Sequence, residues 1–346
     1  MEIKELLREL CVLNGVSGAE DEVREYIIRK AGPHAGELTV DPLGNVLVFR
    51  KGKKSISKKV MFCAHMDEVG FIIKNIGDDG FLKFTNLGNI DPRVVLGKRL
   101  RIGNRKIPGI IPIKARHLVS KEEETKVPQF DELYIDIGAR SREEAEKLVS
   151  IGDVCAFESD FVEFGDNFVK AKAIDDRIGC AIMLKMLEEG PEADAWFVFS
   201  VQEEIGLRGS IGAAFSAAPD IAIVLEGTTA ADLPGVAEGR RACAPRLGVV
   251  LPFMDNSAIY DRELFARLRL IAGKEGIRWQ NKTLVAGGTD AGSIQRSRGG
   301  VKTAVMSAPV RSIHSPICMA HVPDFDEIYK LAQAYLRYFD HEEPGV

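Results

Sequence analysis

The chain has 346 residues, of which 45% are hydrophobic and 28% charged. These proportions are typical of a globular protein and exclude a disordered or fibrous chain. With 46 Lys and Arg against 51 Asp and Glu, the net charge is −5, which argues against nucleic acid as a partner. No apolar run approaches the roughly 18 residues of a membrane span, and the N-terminus lacks a signal-peptide pattern. We therefore expect a cytoplasmic protein with no membrane partner.

Two helices and three strands are predicted for the N-terminal region. Ser17-Gly18-Ala19-Glu20 has the pattern of a capping box and predicts the start of the second helix, which ends at Pro33. Short strand-like runs follow at 38–40 and 45–49, and the apolar run 60–64 is typical of a buried central strand. The first helix is indicated by one apolar face, made of Ile3, Leu6, Leu7 and Leu10.

The predicted secondary structure changes between residues 69 and 164. Short β-like segments with frequent glycines predict an inserted β-rich, barrel-like domain with one short helix after Ser141. Strands and amphipathic helices then alternate, which predicts a mixed α/β sheet flanked by helices. We assign this α/β domain, which we expect to be the catalytic domain, to residues 1–68 together with 165–346. The alternating segments are 178–187, 196–201, 221–225, 263–271, 301–306 and 325–338.

Potential metal ligands follow several of the predicted strands. His65 and Asp67 follow the strand at 60–64, Glu203 and Glu204 follow the strand at 196–201, and Glu226 follows the strand at 221–225. Ligands of open α/β sheets bind at the carboxyl ends of the strands, so these side chains are expected to converge. His314 follows the strand that ends near 306, and Asp175 and Asp176 open a helix. The six cysteines are scattered singly and form no zinc knuckle, which leaves histidines and carboxylates as ligands.

Each of these patterns also has a structural interpretation. His65 and Asp67 suit a ligand and its orienting carboxylate, but a solvated pair at a strand end has the same spacing. The adjacent Glu203 and Glu204 repel each other unless a cation or proton neutralises one, although an exposed acidic loop would tolerate both. Asp175 and Asp176 could equally cap a helix. Taken together, the patterns favour a hydrolase with a pair of divalent metals.

Several motifs in chain order resemble the tetrahedral and glutamyl aminopeptidase family of dinuclear metallopeptidases, whose members are often also labelled endoglucanases. The resemblance runs through the whole chain and implies a zinc-exopeptidase-like fold. The motifs are HMDEVG at 65–70, LYIDIGA at 133–139, AIDDRIG at 173–179, VQEEIG at 201–206, GTDA at 288–291 and IHSP at 313–316.

The resemblance also implies which residues hold the metals. Asp175 would bridge two ions, with a cis peptide bond to the residue that follows it. His65 and Glu226 would complete the coordination of one ion, and Glu204 and His314 that of the other. The ions themselves would be zinc or cobalt, with manganese also compatible with nitrogen and oxygen ligands.

Further roles come from the same resemblance. Glu203 would be the general base, and Asp67 would orient the imidazole of His65. Gly288, Thr289 and Asp290 would line the substrate pocket. The chain departs from the family pattern at Glu226, where Asp is more usual, and at 246–252, where the usual Gly-Pro strand is only loosely followed.

The function implied is that of an aminopeptidase that removes N-terminal residues from short peptides. Family members form dimers that build tetrahedral dodecamers, so we expect a homo-oligomer assembled through the inserted domain. Three alternatives stay open at this point. They are a metal-independent glycoside hydrolase, another dinuclear amide hydrolase such as a deacylase or carboxypeptidase, and a weakly catalytic assembly protein.

Overall fold

The computed structural model describes residues 1–340, so the last six residues of the predicted catalytic domain lie outside the described part. The α-helices within residues 1–340 are α1 (Ile3–Cys11), α2 (Asp21–Ala31), α3 (Arg142–Glu146), α4 (Ile174–Glu189), α5 (Arg208–Ala217), α6 (Arg262–Lys274), α7 (Ala291–Gln295) and α8 (Val322–Arg337).

The strands of the same part of the chain form two sheets. The first ten are β1 (Glu37–Val40), β2 (Val46–Arg50), β3 (Val60–His65), β4 (Gly70–Ile76), β5 (Leu82–Leu87), β6 (Arg99–Ile102), β7 (Ile107–Ile110), β8 (Val154–Phe157), β9 (Val162–Phe164) and β10 (Phe168–Ala171). The remaining strands are β11 (Ala195–Ser200), β12 (Ile221–Thr229), β13 (Val249–Leu251), β14 (Trp279–Asn281), β15 (Lys302–Arg311) and β16 (Cys318–His321).

The larger sheet is mixed and has the order β1-β2-β11-β3-β12-β15-β16-β10-β9, with β13 and β14 attached to β15. Its centre is parallel, because β3 pairs in parallel with both β11 and β12, and β12 pairs in parallel with β15. All six residues of β3 are buried, as expected for a parallel strand covered on both faces. The carboxyl ends of these parallel strands therefore meet at one edge of the sheet.

Helices cover both faces of this sheet. Phe62 of β3 packs into the core with residues of α1, α2, α4, α6 and α8, whereas Cys63 points to the opposite side, where α5 and α7 pack. This alternation follows from the period of two along a strand. The predicted mixed α/β sheet with flanking helices is confirmed.

The second sheet is antiparallel, has the order β5-β4-β8-β6-β7 and uses strands between residues 70 and 157. It has its own core, in which Phe71 packs edge-to-face against Phe84 and Phe157. Single bridges connect Ile135 to the edge strand β5 and Asp136 to the opposite edge strand β7. One segment thus contacts both edges of the sheet, although no continuous ladder within residues 1–340 closes it into a barrel.

The predicted capping box before α2 is wrong, although the helix itself is confirmed. Ser17 Oγ donates to Asp67 Oδ2 at 2.6 Å instead of accepting from the first turn of the helix. Glu20 is the N-cap residue and makes no side-chain cap hydrogen bond, while its Oε1 accepts from the backbone N–H of Gly18 at 2.7 Å. A local pattern could not reveal that Ser17 meets a distant carboxylate, to which its hydroxyl donates a strong charge-assisted hydrogen bond instead of accepting from a first-turn N–H.

The cysteines are all buried and free, as expected for small apolar side chains in a chain without disulfides. The remaining apolar helix faces are also confirmed, and α1 buries Ile3, Leu6, Leu7 and Leu10. In residues 1–340 no helix combines the length and the hydropathy needed to cross a membrane.

A buried ion cluster connects the two sheets. Glu68 lies between β3 and β4, and its carboxylate accepts from Lys172 Nζ at 2.8 Å and from the backbone N–H of Gly15 at 2.9 Å. Arg177 Nη2 lies 3.4 Å from the same carboxylate, and Lys172 also donates to the carbonyl of Leu13 at 2.6 Å. Because these side chains are almost fully buried, each charge depends on its partners for compensation.

We expect Lys172→Met to destabilise the protein, because it removes one of the two cationic side chains that contact the buried Glu68 within residues 1–340. Breaking a buried pair from one side costs about 3–5 kcal/mol. The control is Lys106→Met, which breaks an exposed 2.8 Å ion pair with Glu22 and should cost less than about 1 kcal/mol. Urea unfolding at a fixed protein concentration measures both, and equal costs would contradict the assignment.

Candidate metal centre

The carboxyl ends of three neighbouring parallel strands build the centre. His65 is the last residue of β3, Glu226 lies in β12, and Glu203 and Glu204 follow the end of β11. Since β11 and β12 flank β3 on either side, side chains that are far apart in sequence meet above one point of the sheet. Asp175 is added from the start of α4, after β10.

The carboxylate of Asp175 lies between two imidazoles. Its Oδ1 is 3.7 Å from His65 Nε2, and its Oδ2 is 3.5 Å from His314 Nε2. Each oxygen therefore faces a different histidine, which is the arrangement that a carboxylate bridging two cations requires. The peptide bond between Asp175 and Asp176 is cis, as the resemblance implied.

Each imidazole has a second carboxylate beside it. Glu226 Oε1 lies 3.5 Å from His65 Nε2, and Glu204 Oε2 lies 3.3 Å from His314 Nε2. The side chain of Glu226, at the position where the resemblance implied that Asp is more usual, therefore reaches His65. Two groups of three side chains bring their ligand atoms within 4.8 Å of one another, namely His65 with Asp175 and Glu204, and His65 with Asp176 and Glu226.

The outer nitrogens of the two histidines contact backbone carbonyls. His65 Nδ1 lies 3.1 Å from the carbonyl oxygen of Asp67 and 3.4 Å from its carboxylate Oδ1. His314 Nδ1 lies 2.9 Å from the carbonyl oxygen of Asn89, a residue that follows β5. Such contacts fix the orientation and tautomer of a ligating imidazole. Asn89 was missed in the sequence because a backbone carbonyl leaves no signature in residue types.

Asp176 differs from its neighbour Asp175. Its Oδ1 accepts from the N–H of Gly179 at 3.0 Å, and its Oδ2 accepts from the N–H of His65 at 3.2 Å. The helix-capping interpretation thus describes Asp176, while Asp175 faces the two histidines. Both carboxylates of the pair are buried.

The electrostatics of the centre favour a bound cation. Burial raises the pKa of Glu226 to about 8 and that of Glu204 to about 7. Burial opposes the charged forms of Asp175 and His314 as well, but their ionic partners outweigh it. His314 and His65 lower the pKa of Asp175, and Asp175 and Glu204 raise that of His314 to about 9. Without a cation, such buried carboxylates take up protons near neutral pH, and a metal ion displaces those protons.

Two buried atoms of the centre support this interpretation directly. Within residues 1–340, His65 Nε2 and Glu226 Oε2 are buried and have no hydrogen-bond partner. Buried polar atoms are normally satisfied, and imidazole nitrogen and carboxylate oxygen are ligands for divalent metals such as zinc. The residues present therefore fit a divalent metal.

Glu203 and Glu204 do not form an exposed acidic loop. Glu203 is 7% exposed, and its Oε2 lies 3.9 Å from His65 Nε2. Burial raises the pKa of Glu203 well above its usual range. The backbone N–H groups of Glu203 and Glu204 donate to the two carboxylate oxygens of Asp67 at 2.9 and 3.1 Å, so Asp67 contacts both the imidazole and the loop that carries these glutamates.

The predicted pocket residues 288–290 are largely engaged with other side chains. Thr289 Oγ1 donates to Asp255 Oδ2 at 3.0 Å. The buried carboxylate of Asp290 accepts from the hydroxyls of Ser200 and Ser210. Their role as substrate-binding residues, together with that of Gly288, stays a prediction.

Comparison with known proteins identifies the family to which the chain belongs. A sequence model of the M42 glutamyl aminopeptidase family matches residues 44–331, and the chain belongs to this family. A putative aminopeptidase of Acetivibrio thermocellus is 40% identical over 94% of this chain and 96% of its own length. The lysyl aminopeptidase of Pyrococcus furiosus is 33% identical over 96% of both chains.

Solved structures give the same result. An aminopeptidase from the archaeon Desulfurococcus kamchatkensis superimposes with a TM-score of 0.92, at 35% identity over 97% of this chain and 94% of its own. The TET1 peptidase of Pyrococcus horikoshii matches with a TM-score of 0.85, at 33% identity over 97% and 99% of the two chains. Other matching structures are named endoglucanase, as the resemblance implied. The chain is a hydrolase of the aminopeptidase class.

We expect zinc to stabilise the wild-type protein and to leave Asp175→Asn almost unaffected. A ligand at about 100 times its Kd stabilises the native state by about 2.7 kcal/mol, and Asp175 is the carboxylate placed between both histidines. Thermal melting of the chelator-treated protein, with and without added zinc, measures the effect. The exposed Asp131→Asn is the matched control, and an undiminished zinc effect in Asp175→Asn would contradict this centre.

Proposed function

We propose that the chain is a dinuclear metallo-aminopeptidase that binds two divalent ions, zinc or cobalt, in each subunit. His65 and Glu226 would hold one ion, Glu204 and His314 the other, and Asp175 would bridge them. The observation that carries this proposal is the placement of the two Asp175 oxygens at 3.7 and 3.5 Å from the two imidazoles.

When bound, such ions polarise the scissile carbonyl and acidify water. Glu203 lies beside the cluster with its carboxylate 3.9 Å from His65 Nε2, within reach of a water molecule between the ligands. We assign it as the general base that takes the proton of the attacking water and returns it to the leaving amine. Asp67 orients His65 and, through its two oxygens, the backbone of Glu203 and Glu204.

The substrate would be a short peptide with a free α-amine. A divalent-metal centre rather than a pair of acidic groups alone supports peptide over glycoside hydrolysis, because glycosidases work through two carboxylates without metal. The relatives are named after different N-terminal residues, so the specificity of this chain has to be measured with a panel of peptides that differ in their N-terminal residue.

Location in the cytoplasm is supported by six free, buried cysteines, since disulfides are rare in that compartment.

We expect Glu203→Gln to lower kcat by about 10²–10⁴-fold, because amide nitrogen and oxygen cannot take the proton that general-base catalysis transfers. The measurement is release of free amino acids from a peptide panel with zinc or cobalt, together with metal analysis by mass spectrometry.

The adjacent Glu204→Gln serves as the comparison, because removal of a ligand should lower bound metal as well as activity. N-acetylated peptides should resist cleavage, which separates an aminopeptidase from a deacylase or carboxypeptidase. Full activity of Glu203→Gln, or hydrolysis that survives chelation, would overturn the proposed mechanism.

Assembly into a homo-oligomer is part of the proposal. The TET1 peptidase of Pyrococcus horikoshii assembles into a tetrahedron or a large octahedral shell. In this chain the β-rich segment 69–164, which we propose as the oligomerisation domain, carries exposed apolar side chains that suit a protein interface. They are Ile110, Ile113, Leu118 and Ile151. A dimer-based assembly, up to a tetrahedral dodecamer, fits this surface.

We expect Ile113→Asp to lower the mass of the assembly in solution, because a charge would replace a side chain that is 65% exposed in the monomer and would be buried in the interface. Light scattering coupled to gel filtration measures the mass. Val12→Asp, at a 53% exposed position at the end of α1, is the control. A wild-type protein that is monomeric at all concentrations would refute the proposal.

A further inference from the structure

The loop that carries Glu203 is held through its backbone by side chains from elsewhere in the chain. The N–H groups of residues 201–204 donate, in order, to Asn45 Oδ1 at 2.9 Å, Glu20 Oε1 at 3.2 Å, Asp67 Oδ1 at 2.9 Å and Asp67 Oδ2 at 3.1 Å. Four consecutive amides thus have side-chain acceptors. We call this set of four hydrogen bonds the amide clamp.

The loop needs such support for two reasons. β11 ends at Ser200, so these amides lie beyond the ladder that would otherwise satisfy them. Gln202, directly before Glu203, has a φ of 56°, in the left-handed region that a non-glycine residue adopts only at an energetic cost. Such a conformation persists only where the surroundings impose it.

The burial and the contacts of Glu20 allow it to support this loop. It is 3% exposed, although it stands at the start of a surface helix, and its Oε1 accepts from both Gly18 and Gln202. Burial raises the pKa of Glu20 to about 7, and in either protonation state the side chain keeps an acceptor oxygen. Ser17, three residues earlier, donates to Asp67, so the segment 17–20 supports the clamp at two points.

We propose that Glu20 is a positioning residue, whose carboxyl oxygen fixes the backbone at Gln202 and thereby aims the Glu203 carboxylate at the metal centre. This inference rests on the proposed role of Glu203 as general base. It also explains why the pattern Ser17-Gly18-Ala19-Glu20 is present without forming a capping box. Its polar side chains support the catalytic loop instead of the first turn of α2.

The test compares Glu20→Met, which removes the acceptor at similar volume, with Glu20→Gln, which keeps it. The measurements are kcat and KM, bound metal, and hydrogen exchange of the 201–204 amides in the metal-free protein. Loss of an outer partner that orients a group of a metal site typically costs about 10–100-fold in metal affinity or activity. We expect that loss in the kcat of Glu20→Met, with faster exchange at 201–204 and with KM and bound metal unchanged.

Glu20→Gln should retain wild-type exchange and kcat, and the exposed Glu25→Ala should change neither. If Glu20→Met fails to fold, Glu20→Ala replaces it in the same comparison. Three results would overturn the inference. The first is unchanged exchange and kcat in the variant without the acceptor, the second is a loss of kcat that Glu20→Gln shares, and the third is a loss of bound metal. The activity of Glu203→Gln separates the two proposals. Full activity of Glu203→Gln refutes the general base itself. An inactive Glu203→Gln together with a fully active Glu20→Met refutes only the positioning role of Glu20.

Discussion

The constraint on which this structure depends is the burial of many carboxylates of like charge at one edge of a sheet. The centre contains two imidazoles and six carboxylates, which belong to Asp67, Asp175, Asp176, Glu203, Glu204 and Glu226. Uncompensated charges of this kind are too costly to keep inside a protein. The centre is therefore stable as a folded unit only when cations, protons or well-placed N–H donors balance it, and this requirement explains much of the surrounding architecture.

The chain divides this compensation between the backbone and the ligand side chains. Asp67 and Asp176 each accept from two backbone amides, and these hydrogen bonds satisfy their buried oxygens without any cation. In contrast, Glu226 and His65 keep buried atoms that have no hydrogen-bond partner in the part of the chain that the structure describes. The carboxylates that organise the loops are thus satisfied by the protein, while one nitrogen of His65 and one oxygen of Glu226 are available to a metal ion.

The sequence predicted the parts of the site that follow from strand ends. A buried parallel strand delivers its last side chains to a fixed edge, so His65, Glu203, Glu204 and Glu226 could be expected to converge. The bridging role of Asp175 came from resemblance alone. The support from Glu20, Asn45 and the Asn89 carbonyl was not predicted, because these contacts join residues far apart in sequence. The capping box failed for the same reason, since a four-residue pattern carries no information about Asp67.

The contact between His314 and Asn89 has a consequence for the relation between the two sheets. The ring of a candidate ligand belongs to the larger sheet, whereas the carbonyl that orients it belongs to the segment leading out of β5 in the smaller one. If His314 holds an ion as proposed, a displacement of that segment would change the free energy of ion binding there. By thermodynamic reciprocity, ion binding would then shift the conformational equilibrium of the segment by the same amount. Under the proposed function, occupancy of the centre and the conformation of the proposed oligomerisation domain would be coupled.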